Sequence, residues 1–268
     1  MLLKRVISAL VGVPLVFLAI YLGGAWFAAA VGLVALAGLR EYFRMVEHAG
    51  YGASSAYAIP AALVILVPTA VWASLPALAS GGTFALLLAL VYLLFLQARS
   101  GDVAKWGIAV TGVFYVAWLL GHFILLRSLP DGARWIILAL LVTWATDTGA
   151  YFSGRALGRH RLAPRISPKK TWEGSIGGLL WAVGGALLLS WLFGVPGNPL
   201  HAAAVGAIVG IVSQLGDLAE SMLKRQTGVK DSGRSIPGHG GVLDRLDSLL
   251  FAVPVVYYYA IWVLPPRI

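Results

Sequence analysis

Two polar segments interrupt the apolar runs of this chain, and their residue types suit phosphate and divalent-metal chemistry. The first is an island from Ser221 to Asp247. It holds Ser221, Lys224-Arg225, Lys230-Asp231, Gly233, Pro237-Gly238-His239-Gly240-Gly241, Asp244-Arg245 and Asp247. Asp244 and Asp247 are three apart at the start of an apolar run, so a helix there carries both carboxylates on one face near its positive end. Capping accounts for one of them. Two, directly after His239-Gly240-Gly241, suit a hard cation, because Mg²⁺ takes one or two carboxylates, keeps waters and recruits substrate phosphates. The glycines around His239 permit close backbone approach and positive φ. His239 itself is open to three roles: acid-base group, hydrogen-bond partner of a phosphate, or turn former. It ranks lowest as a metal ligand, since no second His has useful spacing.

The second segment carries Arg155, Gly158-Arg159-His160-Arg161, Pro164-Arg165 and then Ser167-Pro168-Lys169-Lys170-Thr171-Trp172-Glu173-Gly174. Thr171 precedes an apolar run as a plausible N-cap, so backbone N–H groups and the helix dipole join Lys169 and Lys170 in facing an anion. The plainer alternative is a polybasic loop that only touches anionic lipid headgroups. Within the apolar runs themselves, Asp217, Glu220, Ser221 and Lys224 follow i, i+3, i+4, i+7 spacing and form one polar stripe on a helix. Asp147 is similar, with Thr143 and Tyr151 one turn to either side. A carboxylate at the bilayer centre costs about 2.5–3.5 kcal/mol on insertion scales, so such residues line a cavity or bind a cation. A buried Asp–Arg pair or a helix–helix hydrogen bond is the alternative, and Asp147 could pair with Arg155 or Tyr151. Asp217 with Asp244 is the preferred metal-binding pair, with Asp247 and Asp147 as further candidates.

The elements that must position these groups follow from the composition. The chain is 59% hydrophobic and 12% charged, with a mean hydropathy of +0.85. That pattern predicts an all-α, polytopic integral membrane bundle rather than a soluble domain. Apolar runs place about nine spans near 6–22, 25–39, 56–73, 82–98, 106–126, 134–154, 174–194, 200–222 and 246–264, with Gly23-Gly24 dividing the first two. With the N-terminus inside, 17 of the 20 Lys and Arg fall in inside segments, which supports an N-in/C-out topology. The first span is read as uncleaved. The net charge of +9 is then mostly topology, and a nucleic-acid partner has no support. Residues 1–268 are expected to form one membrane domain, 1–133 mainly scaffold spans and 134–268 the catalytic spans and loops. Both polar loops then face the cytoplasm. The chain has no Cys, and it lacks the Gly-x-Ser-x-Gly, His-Glu-x-x-His and Walker patterns.

In order and spacing the island resembles the signature of the phosphatidate cytidylyltransferase (CDP-diacylglycerol synthase) family, as do Asp147, Tyr151, Gly154-Arg155, the segment Ser167 to Gly174, and Gly216-Asp217. The resemblance implies transfer of CMP from CTP to phosphatidic acid, yielding CDP-diacylglycerol and pyrophosphate for phospholipid biosynthesis. It implies Mg²⁺ on Asp217 and Asp244 with a second cation nearby. Lys224, Arg225, Ser221 and His239 complete the expected catalytic set. Arg155, Ser167, Lys169, Lys170, Thr171, Lys230, Asp231 and Arg245 are the expected substrate contacts. A homodimer in the bacterial inner membrane, with its active site facing the cytoplasm, is the expected setting. A CTP-dependent polyprenol or dolichol kinase and a non-enzymatic anion transporter are the alternative readings.

Overall fold

A computed structural model of the chain describes residues 2–51, 57–95 and 102–264, apart from the side chains of residues 2–5 and 102. Arg99 and Arg267, which enter the charge count, lie outside the described residues, as do the side chains of Lys4 and Arg5. The helices are α1 (Leu2–Leu22), α2 (Gly24–His48), α3 (Ala58–Trp72), α4 (Leu75–Phe95), α5 (Asp102–Val113), α6 (Leu119–Ser128), α7 (Gly132–Leu157), α8 (Trp172–Phe193), α9 (Pro199–Gln226) and α10 (Leu243–Trp262). A short π-helical stretch, Phe114–Trp118, joins α5 to α6. Among the described residues six helical stretches are long and apolar enough to cross a membrane: α2, α4, Val103–Ser128, α7, α8 and α9. Shorter apolar stretches lie at Val6–Leu22 and Ala58–Trp72.

Two helix boundaries and one connecting segment differ from expectation. The second helix does not stop at Leu39 but continues to His48, which places Arg40, Glu41 and Arg44 on a helix instead of in a loop. The fourth begins at Leu75, seven residues before the expected start at 82, because Ser80-Gly81-Gly82 packs within the helix instead of breaking it. The segment after α7 is not irregular: Arg161–Ala163 (β1) and Ser167–Thr171 (β2) pair antiparallel as a small hairpin, the one departure from an all-helical description among the described residues.

The chain divides into two compact units. One comprises residues 1–128 and 226–245. Its first two helices are separated at Gly23, whose φ of 62° a side chain would strain. Arg127 closes that corner by donating from Nε to the Ile20 carbonyl at 2.7 Å and from a terminal nitrogen to the Tyr21 carbonyl at 3.3 Å. These are orphan acceptors at a helix C-terminus, where a cation also complements the dipole. Elsewhere the unit relies on close approach: a Cβ at Gly81 would stand 2.7 Å from the Val64 carbonyl. Tyr57 donates to the Ala85 carbonyl at 3.0 Å.

The other unit comprises residues 129–225 and 246–268. Its centre is the α7–α8 pair, in which Gly149 and Gly154 face Gly174, Gly177 and Gly178. A Cβ at Gly174 would lie 2.9 Å from the Ala150 carbonyl, and one at Gly178 2.9 Å from the Thr146 carbonyl. The small-residue face thus serves packing within the chain, as expected where lipid supplies no hydrophobic drive between helices. Gly178→Val should separate the two helices and destabilise the protein by about 1–3 kcal/mol or more, the usual cost of overpacking. A melting curve in detergent checks this, and an unchanged transition would mean that α8 can shift without cost. Ile176, Leu180 and Trp191, turned away from the glycine face of α8, are exposed, as a lipid-facing surface requires.

Candidate active site

In the second unit the residues singled out from the sequence surround a cavity of about 390 Å³ lined by Asp147, Tyr151, Arg155, Lys169, Lys170, Thr171, Gln214 and Asp217, among others. Each wall has a local cause. Asp147, Tyr151 and Arg155 lie at i, i+4 and i+8 on α7 and share one face; Arg155 donates to the Tyr151 hydroxyl at 3.2 Å, and both residues are exposed. The hairpin supplies Lys169 and Lys170. Glu173 fastens it, accepting from the backbone N–H groups of Arg159 and His160 at 3.1 and 3.2 Å and pairing with His160 Nδ1 at 2.6 Å. Thr171 is the N-cap expected of it: its hydroxyl accepts from Gly174 N–H at 3.1 Å, and the start of α8 therefore sits beside the cavity. Gln214 bridges α9 to α8, accepting from the Ser175 hydroxyl at 2.6 Å and donating to the Gly210 carbonyl at 2.7 Å.

Asp217 is the meeting point. Its Oδ2 is 2.6 Å from Lys170 Nζ, with about a quarter of each side chain exposed (24% and 30%), and its Oδ1 accepts from the Ser221 hydroxyl at 3.2 Å. One turn on, Lys224 pairs at 2.8 Å with Glu220, whose side chain is fully buried. Asp247 hydrogen-bonds Glu220 and lies within electrostatic reach of Asp217 and Lys224. The stripe read along α9 is thus real, and α10 adds a third carboxylate to it. Arg225 is exposed and reaches the Ile166 carbonyl at 3.4 Å, beside Ser167 at the start of β2. The cavity lining carries three cations, Arg155, Lys169 and Lys170, against two carboxylates, Asp147 and Asp217. Such a surface attracts a polyanion and can also hold a cation with it.

From Gln226 to Arg245 the island belongs to the first unit. It folds as successive turns, with Gly238 and Gly240 at φ of 81° and 85°. Asp244 organises them: its Oδ2 accepts from Ser232 N–H at 2.9 Å, the Ser232 hydroxyl at 2.9 Å and Gly241 N–H at 2.8 Å. His239 Nδ1 shares a 2.7 Å hydrogen bond with the Ser8 hydroxyl of α1, which fixes the orientation of the ring. Lys230, Asp231 and Arg245 are exposed.

Two of the residues that organise these sites escaped the sequence reading. Ser8 resembles any hydroxyl in an apolar helix. Glu41 carried a weak signal, as an acidic residue amid Arg40 and Arg44 beyond an apolar run. Its carboxylate is 1% exposed and faces the island.

The family described as "Cytidylyltransferase family" matches residues 3–263 of this chain. The chain belongs to the cytidylyltransferase family. Among its relatives, a phosphatidate cytidylyltransferase of Synechocystis sp. is 40% identical over 295 aligned positions, covering 98% of this chain and 97% of the relative. One of Pseudomonas aeruginosa is 39% identical, with 95% of each chain covered. One of Staphylococcus haemolyticus is 36% identical, covering 94% of this chain and 96% of the relative. For a cytidylyltransferase, a cavity mixing lysines with carboxylates is the chemistry that a nucleoside triphosphate needs. The carboxylate oxygens of Asp147 and Asp217 in the cavity lining are of the donor type that a hard metal ion takes. Mg²⁺ is bound in that way, by one or two carboxylates with waters and substrate phosphates.

Proposed function

We propose that this cytidylyltransferase transfers CMP from CTP to phosphatidic acid, releasing pyrophosphate and leaving CDP-diacylglycerol in the membrane. The observation that carries the proposal is the cavity in which Lys169, Lys170 and Arg155 surround Asp217 at the end of apolar helices. A phosphatidate oxygen attacks the α-phosphorus of CTP in line; a new P–O bond forms as the bond to the bridging oxygen of the β-phosphate breaks. The attacking phosphate is already ionised, so no strong general base is required, and positioning with charge stabilisation does most of the work. Lys169, Lys170 and Arg155 hold phosphate oxygens, Thr171 orders the α8 N-terminus beside them, and Lys224 and Arg225 continue the cationic track. Lys230 and Arg245 on the island are further phosphate contacts, with Asp231 beside them, and His239 and Ser221 orient phosphates through hydrogen bonds.

The sequence resemblance assigns Mg²⁺ to Asp217 and Asp244, with Asp247 and Asp147 as further oxygen donors and a second cation nearby. Asp217 stands in the cavity of the second unit; Asp244 heads the island of the first. When bound, Mg²⁺ supplies charge neutralisation for the phosphates and the departing pyrophosphate. In the same proposal the chain spans the bacterial inner membrane about nine times, N-in and C-out, with its site facing the cytoplasm, and works as a homodimer.

The test is purified protein with phosphatidic acid vesicles, Mg²⁺ and CTP labelled at either the α- or the γ-phosphorus. Label in the lipid from α-labelled CTP, together with free pyrophosphate, is the expected result. Lipid labelled only from γ-labelled CTP would instead establish a kinase.

A further inference from the structure

We infer that Glu41, on the second helix, is a positioning residue of the active centre: it holds the island in the shape that orients Asp244. The inference rests on reading Asp244 as a metal ligand. Glu41 is 1% exposed, and among the described residues no Lys, Arg or His pairs with it. A carboxylate so buried is tolerated only when hydrogen bonds replace its hydration. Among the described residues, its hydrogen-bond donors come from the island and the first residue of α10. Ser235 donates to Oε1 at 2.5 Å, and the Ser232 hydroxyl and Leu243 N–H reach Oε2 at 3.2 and 2.9 Å.

Ser232 joins the two carboxylates. Its single hydroxyl lies 3.2 Å from Glu41 Oε2 and 2.9 Å from Asp244 Oδ2, while Asp244 N–H points back at it at 3.3 Å. Two glycines of the island, Gly233 and Gly241, are explained by the same group. A Cβ on Gly233 would stand 2.6 Å from Glu41 Oε1, and one on Gly241 would run into both the Ser232 hydroxyl and Glu41. Gly-to-Ala changes there would displace the carboxylate around which the turns are built. Partners that hold a ligating carboxylate in orientation govern metal affinity, and losing one costs about 10- to 100-fold.

The experiment measures Mn²⁺ binding to the purified full chain in detergent by electron paramagnetic resonance, with no substrate present. Asp244→Asn is the reference, and Glu41→Gln, Ser232→Ala and the double variant are the test. Glu41→Gln and Ser232→Ala are each expected to weaken binding about tenfold or more, and the double variant scarcely further, because both act through one chain of contacts. Glu41→Asp, which keeps the charge, should recover part of the loss. Wild-type Mn²⁺ affinity, within about twofold, in folded Glu41→Gln would overturn the inference. If Glu41→Gln fails to fold, Ser232→Ala, which leaves Glu41 in place, decides in the same way. Unchanged binding by Asp244→Asn would instead remove the metal reading of Asp244, and this inference with it.

Discussion

Asp217→Asn is expected to lower CDP-diacylglycerol formation by about a thousandfold while leaving the protein folded. A metal ion at a transferring phosphate is worth several kcal/mol of charge stabilisation, and about 1.4 kcal/mol corresponds to a factor of ten. Asn keeps the shape of the side chain and its hydrogen bond with Ser221 but cannot neutralise either Mg²⁺ or Lys170. The variant should therefore stay inactive when Mg²⁺ is raised well beyond saturation for the wild type. The check is initial rate against Mg²⁺ concentration, beside a melting curve. Substantial activity restored by excess metal would mean that Asp217 tunes affinity only, and activity at the wild-type level would remove it from the metal site.

Lys170→Met should reduce kcat/KM for CTP by about 10- to 100-fold, the scale of one charge-assisted hydrogen bond to a phosphate, about 1.5–3 kcal/mol. Its contact with Asp217 adds a second, opposite effect. The ammonium 2.6 Å from Oδ2 competes with a divalent cation for the same oxygen. Removing it should lower the Mg²⁺ concentration giving half-maximal rate even as the maximal rate falls. Lys170→Arg keeps the charge but not its compact shape, and should fall between the two. Rates measured over a grid of CTP and Mg²⁺ separate the effects. A variant with normal CTP dependence would reduce the Lys170–Asp217 pair to a structural contact.

Much of the second unit is legible in the sequence. The stripe at Asp217, Glu220, Ser221 and Lys224 depends only on helical periodicity, and the cap at Thr171 only on local side-chain geometry. The Gly23 corner was legible for the same reason. The end of α2 was not: Arg40 to Arg44 looked like a cytoplasmic loop, because charge patterns mark membrane edges but do not say whether the helix stops there. The hairpin after α7 was hidden by its brevity and its basic composition, and its fastening by Glu173 lies 13–14 residues along the chain, beyond any periodic signal. Glu41 was out of reach for a stronger reason. Its partners stand about 190 residues away, and no local pattern encodes such a contact.

That separation has a consequence for the order in which the protein is made. Ribosomes add about 5–20 residues per second, so roughly 10–40 s pass between synthesis of Glu41 and synthesis of Ser232, 191 residues later. Through that interval the carboxylate has none of the donors that later surround it, and it must remain hydrated while neighbouring helices assemble. A nascent chain arrested before the island thus carries an unfinished second helix end. The centre closes only when the last stretch of polypeptide emerges, and this couples the appearance of activity to completion of the chain.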